Sequence, residues 1–63
     1  MTPAETIAAA FHAAYEDLAP EHGYETRKAS AVAWDDVPEN NRSLMIATVQ
    51  RLLDAGAITA GGS

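Results

Sequence analysis

Residues 34–56 read WDDVPENNRSLMIATVQRLLDAG, and this stretch carries the clearest helix signals in the chain. Asp36 and Glu39 have the spacing of a capping box, in which each side chain bonds the backbone N–H of the other residue. Pro38 suits the first helical turn because its fixed φ is helical and its missing N–H would have no partner there. The glycine that ends the stretch can adopt the left-handed conformation that stops a helix. The pattern predicts a helix from about residue 37 to about residue 55.

The predicted helix has an apolar half and a polar half when its residues are placed at about 100° per residue. The apolar half contains Leu44, Met45, Thr48, Val49, Leu52 and Leu53, with Ile46 and the Arg42 stem at its border. The polar half contains Asn40, Ser43, Gln50 and Asp54. A single partner helix cannot cover so wide an apolar half. We therefore expect a homo-oligomer, whose interface contains Leu44, Met45, Val49, Leu52 and Leu53.

The chain has 63 residues, which is enough for one domain, and it contains no cysteine. A chain of this size buries only about 60% of its unfolded surface, so its stability is small. Without cysteine, neither a disulfide framework nor a cysteine-rich zinc site can add stability. We expect the stability to come from packing or from assembly with another copy.

The charge and the hydropathy pattern exclude several classes of partner. Nine acidic and four basic residues give a net charge of −5, which repels the phosphate backbone of nucleic acids. The polar half of the predicted helix excludes a membrane span, which needs about 20 nearly uninterrupted apolar residues. The N-terminus lacks the positive region and apolar core of a signal peptide. We expect a cytoplasmic protein that binds neither nucleic acid nor membranes.

A second helix is predicted near the N-terminus. Thr2 and Glu5 form another capping box, Pro3 lies at the first helical position, and an alanine-rich run of high helix propensity follows. These signals predict a helix from about residue 3 to about residue 18. An apolar stripe recurs at three- and four-residue steps and comprises Ile7, Phe11, Ala14, Tyr15 and Leu18. We expect this stripe to cover part of the other helix, with His12 at its edge or off it.

The segment between the two predicted helices contains a turn and an extended stretch. Pro20 and Gly23 stop the first helix, and Gly23 can supply the positive φ of a turn. Residues 24–34 alternate loosely between apolar and polar side chains, which indicates a strand-like conformation. This stretch either lies as irregular coil across the helices or pairs with the same segment of another copy. We predict an all-α fold of two antiparallel helices in residues 1–58, followed by a disordered tail in residues 59–63.

The residue order around the second predicted helix is similar to that of a known family. It runs Trp34-Asp35-Asp36-Val37-Pro38-Glu39, then Asn41-Arg42, Thr48, Leu52-Leu53 and Gly56. Residues 23–58 thereby resemble the ryanodine receptor repeat, which also occurs as a single small domain in bacteria and phages. The chain departs from the family at Ala29-Ser30-Ala31, where a His-Pro pair is common, and the loop before the extended stretch is shorter. The chain also resembles the short accessory proteins that are common in actinobacterial phages.

The resemblance implies a nucleotide-binding cleft between two copies, because repeats of this family pack as pairs in the large receptors and adenine nucleotides are associated with such pairs. The candidate ligand-binding residues are Tyr24, Arg27, Lys28, Trp34, Asn41 and Arg42. The Arg27-Lys28 pair could form an anion site with Arg42 or could simply be solvated. Trp34 could stack a base or pack between the helices. Arg42 could bind a phosphate or pair with a nearby carboxylate.

The sequence contains no combination of residues typical of an enzyme or a metal site. Ser30 lacks the glycines of a nucleophile elbow, and the carboxylates at the helix starts are needed as caps. His12 and His22 are ten residues apart, without carboxylates at the spacing of a metal site. We therefore predict no enzymatic activity, no cofactor and no metal.

Two functional hypotheses follow from these patterns. The first is a module that binds an anionic nucleotide or a nucleotide-like signal molecule in a phage or bacterial setting. The second is an accessory protein that binds a host protein through the apolar face of its second helix. If the chain is encoded by a phage, we expect it in the host cytoplasm.

Overall fold

The computed structural model describes residues 1–28 and residues 31–60. Two α-helices of 16 residues each, α1 (Pro3–Leu18) and α2 (Glu39–Asp54), pack against each other. The described residues contain no β-strand, so the predicted all-α class with two helices is confirmed.

Helix α1 begins as the sequence predicts. The hydroxyl oxygen of Thr2 accepts a hydrogen bond of 3.1 Å from the N–H of Glu5, which satisfies one of the N–H groups that a helix start leaves without a partner. After α1 the chain continues as a 3₁₀ helix at Ala19–His22. Gly23 then has a φ of 76°, and the N–H of Tyr24 bonds a carbonyl of this 3₁₀ helix at 3.0 Å. Glycine adopts this left-handed conformation without steric cost, and the predicted turn is confirmed.

Helix α2 begins later than predicted, and the predicted capping box at its start is wrong. Val37 is extended, with φ −67° and ψ 136°, and Pro38 is the N-cap without a side-chain hydrogen bond. The cause is Pro38 itself, because its ring disfavours a helical conformation in the residue before it. Asp36 instead ends a separate 3₁₀ helix, Trp34–Asp36, in which its N–H bonds the carbonyl of Ala33 at 2.9 Å.

The end of α2 has the hydrogen bonds of a Schellman motif. Gly56 has a φ of 74°, and its N–H bonds the carbonyl of Leu53 at 3.1 Å. The N–H of Ala57 reaches back to the carbonyl of Leu52 at 3.0 Å. These bonds satisfy two carbonyls that a helix end leaves without partners. Ile58 then packs against the core.

The core between the helices is small and is built around two alanines. Ala4, Ala8 and Val49 are buried together. Partly buried apolar side chains pack around them, namely Ile7, Trp34, Met45, Ile46, Leu53 and Ile58. The distance between two packed helices depends on the side chains at their contact. The two alanines therefore let α2 approach α1 closely on this side.

The prediction that the apolar stripe of α1 forms the main contact with α2 is wrong. The buried residues of α1 are Ala4, Ala8 and His12. Ile7, the first member of the stripe, packs against the core. The other members are exposed, namely Phe11, Ala14, Tyr15 and Leu18. A helix can cover only one side of its neighbour. The close approach at Ala4 and Ala8 places α2 over the side of α1 that contains Ala4, Ala8 and His12, next to the predicted stripe.

The stretch expected to be strand-like is irregular coil in its described part up to Ala33, and Trp34 begins a 3₁₀ helix. Two hydrogen bonds attach it to α1. The Thr26 hydroxyl donates to the Glu16 carboxylate at 2.7 Å, and Nε2 of His12 lies 2.7 Å from the carbonyl oxygen of Val32. Of the two alternatives drawn from the sequence, coil lying across the helices fits these contacts.

Residues 29, 30 and 61–63 lie outside the described residues, and they include three of the five residues of the predicted disordered tail. Thr59 and Ala60, the first two tail residues, are exposed. In the part of the chain that the structure describes, no helix has the length and the apolar character needed to cross a membrane.

Candidate functional site

The main surface feature is a group of large apolar side chains that the opposite helix leaves uncovered. We term it the apolar face; its members are Phe11, Tyr15, Leu18, Tyr24, Leu44 and Leu52, which are 59%, 52%, 49%, 69%, 66% and 39% exposed. Helix α1 and the turn after it supply the first four, and α2 supplies the last two. Single exposed apolar side chains are normal on protein surfaces, whereas a contiguous patch of them indicates an interaction site.

Two apolar grooves make the apolar face continuous. The helix groove has a volume of about 240 Å³ and is lined by Ala8, Phe11, Leu44, Met45, Thr48, Val49 and Leu52. The turn groove has a volume of about 340 Å³ and is lined by Phe11, Ala14, Tyr15, Leu18, Ala19, His22 and Tyr24. Phe11 belongs to both grooves, and its ring stacks on that of Tyr15 with the centroids 5.8 Å apart. The two grooves therefore form one surface with Phe11 at its centre.

A third groove, termed the polar groove, brings together three of the six predicted ligand-binding residues. Tyr24, Arg27 and Asn41 line it, and its volume is about 350 Å³. Its walls also contain Glu16 and Glu25. Two carboxylates beside one guanidinium give this groove a local charge that does not favour an anion.

The other three predicted ligand-binding residues do not line the polar groove. Lys28 is exposed on the segment between the helices. Trp34 packs against the core, and its ring centroid lies 5.9 Å from that of His12 at an angle of 53°. Arg42 is partly buried, and its Nε–H has no hydrogen-bond partner among the described residues. The six residues are thus divided between a surface groove, an exposed segment and the edge of the core.

The predicted oligomer interface on α2 is divided between the core and the surface. Val49 is buried in the core, and Met45 and Leu53 pack against it. Leu44 and Leu52 lie on the apolar face. The contribution of α1 to this surface was missed because its aromatic residues were assigned to the contact between the helices.

His12 is a buried structural residue that the sequence pattern placed at the edge of the helix contact. It is 6% exposed, and its Nε2 atom is 2.7 Å from the carbonyl oxygen of Val32. Because a carbonyl oxygen can only accept a hydrogen bond, Nε2 carries the proton and donates it. Ala4, Ala8 and His12 follow one another at four-residue steps. This spacing places the three residues on one side of α1, but it does not show that this side is the buried one, because the aromatic stripe has a helical period as well.

The charges around the apolar face differ between its two halves. The acidic border consists of Glu16, Asp17, Glu21 and Glu25, each of which is next in sequence to a residue that lines the turn groove, in a stretch without lysine or arginine. The basic border lies on the α2 side and consists of Arg51, which precedes Leu52 in α2, whereas Arg27 lines the polar groove together with Glu16 and Glu25. The α1 half of the apolar face therefore has an excess of acidic residues, and the α2 half is bordered by Arg51.

Within residues 1–28 and 31–60, no group of three or more His, Asp or Glu side chains is arranged to hold a metal ion. Comparisons of the chain with protein-family models, with curated proteins and with solved structures find no match. The function is therefore inferred from the apolar face and from the polar groove.

Proposed function

We propose that this chain is a non-enzymatic protein-binding module whose apolar face receives a protein partner. The observation that carries the proposal is the distribution of apolar side chains. Six large ones are exposed on one continuous surface, while the centre of the core is formed by two alanines and a valine. Leucine and phenylalanine are among the residues that folded proteins most often bury. A bound partner accounts for their position, because it would cover them.

The exposed apolar area is large for a chain of this size. Phe11, Tyr15 and Tyr24 are each more than half exposed, and a single aromatic side chain has about 150–250 Å² to bury. The three rings alone therefore expose roughly 300–450 Å², to which the three leucines add. Contiguous apolar patches above a few hundred Å² typically mark interaction sites.

The grooves and their borders specify the chemistry of the partner. The helix groove and the turn groove have apolar walls, so each accepts an apolar side chain. The acidic border favours positive charge on the facing surface. The partner is therefore a protein surface that presents apolar anchors with a basic residue beside them.

Site-specific photo-crosslinking tests this proposal. Photoreactive benzoylphenylalanine in place of Phe11 should give protein adducts when bacterial cells that express the chain are irradiated. Gln50 is the matched control, because it is exposed on the polar side of α2, where it bonds Asp54 at 2.9 Å. The same photoreactive residue at position 50 should give no adduct. Equal labelling at both positions, or no labelling at position 11, would overturn the proposal.

A second candidate function is the binding of an anionic nucleotide-like ligand, which the resemblance to the ryanodine receptor repeat implies. The convergence of Tyr24, Arg27 and Asn41 on the polar groove supports it. An aromatic ring, a guanidinium and an amide are groups that together can hold a base and a phosphate. Glu16 and Glu25 in the same groove oppose it, because they repel a phosphate.

Thermal-shift measurements with ATP and with cyclic AMP test this second candidate. A ligand at one hundred times its Kd adds about 2.7 kcal/mol to the free energy of unfolding. Arg27→Lys should reduce this gain, because lysine cannot make the two-pronged contact of a guanidinium. Arg51→Lys, outside the polar groove, is the control and should leave the gain unchanged. No shift with either nucleotide rejects this candidate and leaves the protein-binding proposal standing.

A further inference from the structure

We infer that the apolar face is occupied by a second copy of this chain, in a two-fold dimer. The inference rests on the proposed protein-binding function and names the partner. In the dimer, the α1 half of one face, around Phe11 and Tyr15, lies against the α2 half of the other face, around Leu44 and Leu52. A two-fold axis repeats this contact, so the assembly closes at two copies.

The aromatic rings of the apolar face supply about half of the area that a stable dimer buries. A standard interface buries about 800 Å² per partner, which is about one sixth of the 4762 Å² that this chain exposes. The three aromatic rings supply roughly 300–450 Å² of this area. The leucines of the face, the walls of the two apolar grooves and the charged borders are available for the remainder.

Charge complementarity selects the orientation of the two copies. When unlike halves meet, the acidic border of each copy faces the Arg51 of the other. When like halves meet, the four carboxylates of one copy face the four of the other. Like charges that face each other across an interface are strongly unfavourable. We term the arrangement in which unlike halves meet the crossed orientation. In this orientation, each copy places positive charge against the acidic border of the other.

The small core of one chain explains why folding would require the second copy. Ala4, Ala8 and Val49 form the buried centre of one chain, and a chain of this length has little apolar area to bury alone. The larger apolar side chains contribute fully to stability only when the second copy covers them. Association and folding are therefore coupled.

Light scattering after size exclusion tests the stoichiometry. At micromolar concentration the expected mass is twice the 6.6 kDa of one chain, and it should fall toward that of one chain on strong dilution. Leu44→Ser should weaken the dimer, so that the change from dimer to monomer occurs at a higher protein concentration. Val32→Ser is the matched control, because Val32 is an exposed apolar residue outside the apolar face.

A pair of charge-reversed variants tests the orientation. One variant carries Arg51→Glu, and the other carries both Asp17→Arg and Glu21→Arg. Each variant alone should self-associate at least about tenfold more weakly, because like charges then face each other across the interface. An equal mixture of the two variants should form a dimer as strong as that of the unmodified chain, because unlike charges face each other at both contacts. Lys28→Glu changes the net charge as much as Arg51→Glu does, but Lys28 lies off the apolar face. It should leave association unchanged.

The outcomes separate this inference from the proposed function. A monomer that is folded by circular dichroism at micromolar concentration overturns the second copy as the partner. If crosslinks from position 11 then join the chain to other proteins, the protein-binding function stands. A dimer whose charge-reversed variants fail to associate when mixed overturns the crossed orientation. If one variant is unfolded alone, refolding on mixing supports the inference and failure to refold contradicts it.

Discussion

The Nε2 atom of His12 lies 2.7 Å from the carbonyl oxygen of Val32, twenty residues further along the chain. This hydrogen bond attaches the irregular segment to the buried side of α1. The His12 ring also lies 5.9 Å from the ring of Trp34, which packs against the core from the 3₁₀ helix before α2. One buried histidine therefore joins α1 to two separate parts of the connection between the helices.

His12→Ala should destabilise the fold by about 1–3 kcal/mol, because the Val32 carbonyl loses its donor and the Trp34 ring loses a neighbour. His22→Ala is the control, since His22 is exposed in the turn and its removal should change stability by less than about 0.5 kcal/mol. Urea unfolding followed by circular dichroism measures both values. Equal small effects would contradict the role assigned to the histidine bond.

Trp34→Ala should lower the free energy of unfolding by about 3 kcal/mol, at the low end of values for buried aromatic residues, because the ring is only partly buried. Asp35→Ala, its exposed neighbour in the same 3₁₀ helix, should have little effect. Tryptophan fluorescence provides a second readout, since Trp34 is the only tryptophan in the chain. A red-shifted emission typical of a fully solvated ring would show that Trp34 does not pack against the core.

The two helix starts should respond differently to loss of a capping side chain. Thr2→Ala should cost about 1 kcal/mol, because it removes the acceptor of the Glu5 N–H. Asp36→Ala should cost less than about 0.5 kcal/mol, because Asp36 lies in the 3₁₀ helix and is not the cap of α2. Thermal unfolding of the two variants tests this order. A larger loss of stability for Asp36→Ala than for Thr2→Ala would show that Asp36 does cap α2, as the sequence predicted.

Ala8→Leu should destabilise the fold by about 1–3 kcal/mol, because Ala8 is 0% exposed and a larger side chain forces the helices apart. Ala13→Leu places the same side chain on an exposed position of α1 and should have little effect. Denaturant unfolding compares the two variants. Similar stability for both would mean that α1 and α2 do not meet at the alanines.

The ends of the helices could be predicted because their signals are local. Thr2 caps α1 through a residue three positions away, and Gly56 ends α2 through bonds to the preceding turn. The error at Asp36 has a local cause as well. The restriction that Pro38 imposes on the residue before it outweighs the spacing of the capping box.

The candidate site could be predicted only in part. Tyr24, Arg27 and Asn41 were selected for their chemistry, and they do line one groove. That Glu16 and Glu25 line the same groove depends on how the segment folds back over α1, which their positions in the sequence do not reveal. The charge of the groove was therefore decided by tertiary contacts.

By itself, the sequence determined that two amphipathic helices form and approximately where each begins and ends. Only the tertiary structure decided which side of α1 is buried. Ala4, Ala8 and His12 recur with a helical period, and so do Phe11, Tyr15 and Leu18. Periodicity identifies residues that share a side of a helix, but it does not identify the side that another helix covers. That choice depends on close approach at the alanines and on a hydrogen bond between residues twenty positions apart, and it leaves the aromatic stripe on the surface.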